Sequence, residues 1–415
     1  MPVTSLKEFL NFDNSLFLNK HVLKPNYTLQ GIDQLLHRDN EINIYYQYLK
    51  DIFRGSSPNN IFVYGKPGLG KTLITKWVLQ EVKTEADNRN IDLCIININC
   101  DSSGTEHAIV QDINEGLPAP QNEKKKNIVN SKAKQIKYFE HLLDNYPGIV
   151  LIVLDEIDKA QNPEIINTII RKKSELSGQY PCVICITNEL NLNERFPPHL
   201  QSVLCENSLI ISPYDAEQLT DIIRARIKMA FKPNTVDEVV APLCAALAAQ
   251  EHGDARRAID LLRVAGEIAE IESKPKIEEI DVRRALERIE IDRVIEVIKT
   301  LPSQSKISLM SCLYVFESDL ECNMNNIYGT YTAICRHIDI DPLTQRRVTD
   351  LLSELDQLGI IDGENHFKGR YGRKKIITRI FSKNFMLETL FQDYRLKSLR
   401  DVSRKALLKS TSWKW

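Results

Sequence analysis

Hydrophobic and polar positions change their period once along this chain. From about residue 21 to 212 short apolar runs alternate with helical stretches; past Pro213 the runs stop and helical spacing takes over. The longest run, Ile149-Val150-Leu151-Ile152-Val153-Leu154, has no polar position, as expected of a central parallel strand covered on both faces. Asn60-Ile61-Phe62-Val63-Tyr64 and Pro181-Cys182-Val183-Ile184-Cys185-Ile186-Thr187-Asn188 read as two further strands. Such alternation predicts an α/β fold with a parallel sheet. Residues 1–20 read as a short amphipathic extension, and 114–130, with Pro118, Pro120 and Lys124-Lys125-Lys126, as a polar loop.

Beyond the sheet, residues 215–231, 237–250, 255–271 and 277–299 have helical periodicity and predict an all-α domain over 213–300. Pro302 separates it from a third region, 301–415. There, 343–359 has start and stop signals: Thr344 can N-cap and Gly359 sits where glycine closes helices. Val348, Leu351, Leu352, Leu355 and Leu358 form one apolar stripe, while Arg346, Asp350, Ser353 and Gln357 face away. A basic hairpin follows, with Lys368-Gly369-Arg370-Tyr371-Gly372-Arg373-Lys374-Lys375 at its tip. A helix and then a basic hairpin is the pattern of a winged helix-turn-helix. The tip suits the minor groove or the phosphates of duplex DNA.

The stretch Gly65-Lys66-Pro67-Gly68-Leu69-Gly70-Lys71-Thr72 reads G-x-x-x-x-G-K-T, between a predicted strand and a predicted helix. In that context the glycines let backbone N–H groups close around phosphates at a helix N-terminus. Lys71 would reach the β- and γ-phosphates and Thr72 would ligate Mg²⁺. The strand 149–154 ends in Asp155-Glu156. An acidic helix cap would look the same, but beside a phosphate loop these are the expected Mg²⁺ ligand and the base that polarises water. Asn188 offers a hydrogen-bonding group at a neighbouring strand end, though Asn also begins turns. Cys182 and Cys185 resemble a metal or redox pair, yet in a strand they point to opposite faces and read as core residues.

At 415 residues the chain should hold two or three domains; 43% hydrophobic and 27% charged residues are ordinary for a globular protein. No apolar run approaches the roughly 20 residues of a membrane span. The first residues lack a signal-peptide pattern, and nine irregularly spaced cysteines suggest free thiols in a reducing cytoplasm, with no membrane partner. The net charge of −2 hides an asymmetry: 343–415 carries 16 Lys and Arg against 8 Asp and Glu, a net +8, so the rest carries −10. A basic end on an acidic body points to a polyanion.

These stretches together resemble the archaeal origin-recognition and replication-licensing initiators, a group of AAA+ ATPases. The resemblance covers about 23–404. It is carried by Leu35-Leu36-His37-Arg38-Asp39-Asn40-Glu41, the phosphate loop, Leu154-Asp155-Glu156-Ile157-Asp158 and Ile186-Thr187-Asn188. It continues through 243–262, where Gly253-Asp254-Ala255-Arg256-Arg257-Ala258 resembles the lid signature. Pro342-Leu343-Thr344-Gln345-Arg346-Arg347-Val348 and the hairpin tip resemble the winged-helix signature. It implies an AAA+ core, a helical lid and a winged helix. ATP or ADP with Mg²⁺ would be the ligand. Origin DNA, the replicative helicase and an adjacent paralogous initiator would be partners, at the nucleoid. It also implies that Asn188 and Arg256 are γ-phosphate sensors, that Tyr214 and Arg226 contact nucleotide from the lid, and that His37 and Arg38 line the base or ribose. Arg256 has separate support, because a cation in a helix's first turn opposes the macrodipole unless it serves an anion.

One position departs from the family. In Phe196-Pro197-Pro198-His199-Leu200-Gln201-Ser202, His199 stands where these proteins carry an arginine finger. An imidazole does not replace a guanidinium as a fixed positive donor. Slow hydrolysis is therefore expected, and two readings remain. One is an ATP-dependent initiator; the other is an origin-binding regulatory paralogue whose ATPase is nearly silent. A clamp loader or chaperone-like machine would not need the winged helix.

Overall fold

A computed structural model of the chain describes residues 15–24, 27, 35–120, 131–160, 164–189, 198, 201, 204, 207–251, 253–318, 320–367, 373–380, 383–403 and 405–407, with the backbone alone for 164–165, 364–367, 373–376 and 378–380. It divides into two compact units, 1–283 and 284–415.

In the first unit five parallel strands, β1 (Ile61–Tyr64), β2 (Leu93–Asn99), β3 (Ile149–Asp155), β4 (Cys182–Thr187) and β5 (Asn207–Ile210), lie in the order β2-β3-β4-β1-β5. The central strands are buried along nearly their whole length, as their unbroken apolar runs require. The edge strands alternate instead: Asn97 and Asn99 on β2, and Ser208 on β5, face solvent. Those alternating strands are harder to single out in the sequence than the central three.

Helices cover both faces. They are α1 (Asp39–Leu49), α2 (Lys71–Asn88), α3 (Glu106–Gly116), α4 (Lys132–Asp144) and α5 (Glu164–Arg171). Helix α3 takes in Asn114 and Gly116, so the expected loop starts later than 114; Lys124, Lys125 and Lys126 fall outside the described residues. One core holds Ile152, Leu154 and Cys185, and the other holds Leu151, Val153 and Cys182. Cys182 and Cys185 therefore point to opposite faces as buried core residues.

The lid follows as α6 (Ala216–Ala230), α7 (Val240–Glu251) and α8 (Ala255–Ile271); α9 (Glu279–Thr300) begins in the first unit and continues into the second, whose core takes in Ile298. Asp215 starts α6 with a reciprocal capping box: its side chain accepts from Gln218 N, and the Gln218 side chain accepts from Asp215 N.

The second unit packs α10 (Ser303–Glu317), α11 (Met324–His337), α12 (Gln345–Gln357) and α13 (Lys383–Leu390) with an antiparallel hairpin of β6 (Ile361–Phe367) and β7 (Arg373–Ile380). Thr344 caps α12 by accepting from Arg347 N at 3.4 Å, and Gly359 closes it at φ 69°. Val348, Leu351, Leu352 and Leu355 are buried. Leu358, expected in the same stripe, is 52% exposed because the helix ends at Gln357 and the chain turns away.

Candidate nucleotide cleft and winged helix

The phosphate loop joins β1 to α2 at the carboxyl end of the sheet. Gly68 and Gly70 adopt φ of 78° and 88°, in the left-handed region that glycine enters freely. Gly65 is fixed by space: a Cβ there would lie 2.6 Å from the Ile211 carbonyl oxygen. Leu69 is fully buried and anchors the loop in the core. Lys71, 6% exposed, donates from Nζ to the carbonyls of Gly65 (2.7 Å) and Lys66 (2.8 Å) and to Asn188 Oδ1 (2.8 Å). An ammonium has three hydrogens, and all three are used. Burial pushes its pKa down to about 8, the Arg256 charge adds to the fall, and Asp155, Asp158 and Glu156 oppose it.

Thr72 Oγ1 donates to Asp155 Oδ1 at 3.1 Å. This pairs a hydroxyl with a carboxylate, hard oxygen ligands suited to Mg²⁺. Among the described residues no three His, Cys, Asp or Glu side chains converge to hold a metal alone. Mg²⁺ takes one or two protein oxygens, here those of Thr72 and Asp155, and would complete its shell with phosphate and water. Next to it, Glu156 has φ 56° and ψ 46°. A non-glycine residue in this region stores strain, and such strain gathers at functional sites.

Asp158 had no role in the sequence reading beyond its place in the family stretch. Its Oδ1 accepts from Thr187 Oγ1 (2.9 Å) and Asn188 N (3.2 Å). Asp158 thus sets the backbone of Asn188 while Lys71 holds its side chain.

A cleft of about 540 Å³ opens above these groups, and Pro67, Gly68, Gly70, Lys71, Thr72, Asp155, Glu156 and Asn188 line it. From the lid, Tyr214, Arg226 and Arg256 line it too. Arg226 donates to the Val22 carbonyl at 3.3 Å, with its guanidinium 5.1 Å from the Tyr27 ring centroid. Arg256 sits in the first turn of α8, and its exposed side chain makes no hydrogen bond among the described residues. Its N–H donates to Asp254 Oδ1 at 2.7 Å. The Asp254 carboxylate rests directly on the phosphate loop, 1.7 Å from where a Cβ on Gly68 would be.

His37 and Arg38, expected at base or ribose, do not line the cleft. Arg38 is 2% exposed, and its Nη2 ties the carbonyls of Leu69 (3.1 Å) and Ser212 (3.0 Å) together. It also donates to Tyr214 Oη (2.8 Å) and Glu41 (2.7 Å), and lies 3.7 Å from the Tyr214 ring centroid. With its fork spent on protein oxygens, Arg38 positions the phosphate loop and Tyr214. His37 Nε2 lies 3.1 Å from Asp221 Oδ2.

In the second unit Arg346 and Arg347 are exposed on α12, and Arg347 lies 3.9 Å from Asp350 and 4.0 Å from Glu354. The hairpin brings Phe367 opposite Arg373. Lys368, Gly369, Arg370, Tyr371 and Gly372, and the side chains of Arg373 and Lys374, lie outside the described residues, as does His199.

Three family models match in succession: an AAA domain over 54–194, a Cdc6 AAA+ ATPase-type lid domain over 220–287 and a CDC6 C-terminal winged helix domain over 296–386. The ORC1-type DNA replication protein 1 of Methanosarcina mazei is 41% identical over 404 residues, covering 96% of each chain. The ORC1-type DNA replication protein of Pyrococcus furiosus is 42% identical over 401 residues, 94% of this chain and 93% of its own. Among solved structures, the Aeropyrum pernix ORC1 protein in complex with DNA superposes with a TM-score of 0.72 at 33% identity, covering 92% of this chain and 98% of its own. An AAA+ core, a lid, a winged helix and relatives matched end to end lead to one conclusion: the chain belongs to the archaeal ORC1-type DNA replication protein family.

Proposed function

We propose that this protein initiates replication by binding duplex DNA at origins through its winged helix and AAA+ core, with ATP in the cleft, and that it helps recruit or load the replicative helicase. One observation carries the reading: Lys71, Asp155, Asn188 and Arg256 border a single cleft in a chain that also holds a winged helix. Residues 65–72 would hold the phosphates, with Lys71 exchanging protein oxygens for phosphate oxygens. Glu156 would polarise the attacking water. Asn188 and Arg256 would report the γ-phosphate from the sheet and the lid. Thr72 and Asp155 would hold Mg²⁺, which supplies neutralisation of phosphate charge.

On the DNA side, exposed Arg346 and Arg347 would meet base edges or phosphates, and Lys368, Arg370, Arg373 and Lys374 would clamp the backbone or minor groove. That the Aeropyrum pernix relative is in complex with DNA supports duplex binding as such. The same reading includes a nucleoid location and a neighbouring paralogue on the same DNA. His199 favours a second reading, an origin-bound regulator that hydrolyses ATP very slowly and uses nucleotide mainly as a structural ligand. Calorimetry with ATP on the wild type and on Lys71→Ala tests the common core: binding should be lost or much weakened in the variant, and unchanged affinity overturns it.

A further inference from the structure

A second hollow lies at the opposite end of the sheet from the nucleotide cleft. Strands β1 and β4 are paired neighbours, and the chain leading into their amino ends, 56–60 and 179–181, encloses about 560 Å³ together with the end of α5. That is the size of a ligand site. Cross-links hold its walls. Gln179 bridges the two stretches: its Oε1 accepts from Ser57 N, and its Nε2 donates to the Gly55 carbonyl at 2.8 Å. Val183 N donates to Asn60 Oδ1 at 2.7 Å, and Cys182 Sγ donates to the Asn59 carbonyl at 3.3 Å. The hollow is therefore preformed.

Its chemistry departs from that of the body around it. Residues 1–342 carry a net −10, yet among the described residues no Asp or Glu lines this hollow and Arg171 is its one charged side chain. Arg171 is exposed and makes no hydrogen bond or ion pair among the described residues, whereas its neighbour Lys172 is taken by Asp144 at 3.0 Å. A cation in a last turn complements the helix macrodipole, and here it leaves the guanidinium fork free for a carboxylate. In the same hollow Ser57 Oγ is buried with no hydrogen-bond partner among the described residues. A buried hydroxyl left unpaired costs free energy that a ligand's polar group recovers. Pro58 and Pro181 add apolar wall, and Tyr180, 51% exposed, adds an aromatic face. One cation beside apolar surface suits one carboxylate and one apolar side chain. A nucleic acid would call for several cations, about one per phosphate neutralised.

We propose that this hollow docks a short acidic peptide segment of a partner protein. Arg171 takes a carboxylate of the peptide, Ser57 hydrogen-bonds to it, and Tyr180 with the two prolines takes an adjacent apolar side chain. The site works apart from the nucleotide, because none of its lining residues borders the cleft.

Fluorescence polarisation on the full chain tests this with a panel of labelled hexapeptide amides. Each carries one Glu or Asp next to a Leu or Phe, and each has a Gln or Asn twin. Acidic members should bind, and their neutral twins about tenfold more weakly. Arg171→Gln should weaken the acidic members about tenfold and leave the twins unchanged. Arg171→Lys should fall between, because a point charge lacks the fork. Tyr180→Ala should weaken both sets alike. Lys71→Ala should bind the panel as the wild type does, which separates this site from the nucleotide cleft. An unaltered Tm shows that these variants are folded. No binding by any acidic member, equal binding by the neutral twins, or a loss in Lys71→Ala overturns the proposal. So does displacement of the peptides by duplex DNA with Arg171→Gln weakening the duplex by the same factor, which would make Arg171 part of a DNA-binding surface.

Discussion

Lys71 Nζ donates to Asn188 Oδ1 across 2.8 Å, linking the phosphate loop to the end of the strand beside it. The lysine that would grip phosphate and the asparagine that would sense it thus share one hydrogen bond. Asn188→Ala should leave ATP binding largely intact and slow hydrolysis by roughly 10²-fold, the usual effect of removing one positioned donor. Single-turnover hydrolysis alongside equilibrium binding separates the two quantities; equal losses in both would make Asn188 a structural residue only.

Nucleotide affinity should depend on pH through Lys71. The buried ammonium titrates near 8 in the protein. Phosphate favours the charged form and raises that pKa, so binding takes up a proton above about pH 8. Affinity is then full below that value and falls as pH rises through it, by up to about tenfold per unit. Calorimetry at pH 8.5 in buffers of different ionisation enthalpy should register the uptake, and Lys71→Met should abolish it.

Glu156 combines a catalytic assignment with a left-handed backbone at φ 56°. Glu156→Gln should bind ATP normally and hydrolyse it more slowly still. Glu156→Gly should be just as inactive yet no less stable, because relief of about 1–2 kcal/mol of strain offsets the entropy that glycine adds to the unfolded chain. Thermal unfolding of the variant checks this; a clear drop in Tm would mean that the side chain itself holds the fold.

The C-terminal residues 301–415, expressed alone, should retain duplex binding, more weakly than the full chain. Affinity should fall steeply with salt, with a log–log slope of about −0.9 per phosphate neutralised. Arg373→Ala should weaken binding to all duplexes by a similar factor. Arg346→Ala should also narrow the gap between origin and random DNA, by ~1–3 kcal/mol if it makes a bidentate base contact. An Arg346→Ala variant with both affinities untouched would move the recognition surface away from α12.

What was legible in the sequence was local. The phosphate loop, Asp155 at the end of its strand, the lid helices and the capped α12 each sit within one short window. Their positions can be read from local spacing and the elements around them. The partners that hold the site in shape are distant in sequence. Arg38 reaches Leu69 and Ser212, and Asp254 lies on Gly68. No periodicity marks such contacts, and nothing local shows that the Arg38 guanidinium is spent on the Leu69 and Ser212 carbonyls, Tyr214 Oη and Glu41. Leu358 failed for a smaller reason: a stripe extrapolated one residue past the helix end no longer has a helix to face.

Footprinting the full-length protein on the origin regions of its own genome, with ATP and Mg²⁺, tests the central claim most directly. Discrete protected segments should appear at concentrations that leave random duplex uncovered, with protection weakened in Arg346→Ala and Arg373→Ala. Uniform coverage of origin and random DNA at the same concentration, or protection indifferent to both substitutions, would contradict it.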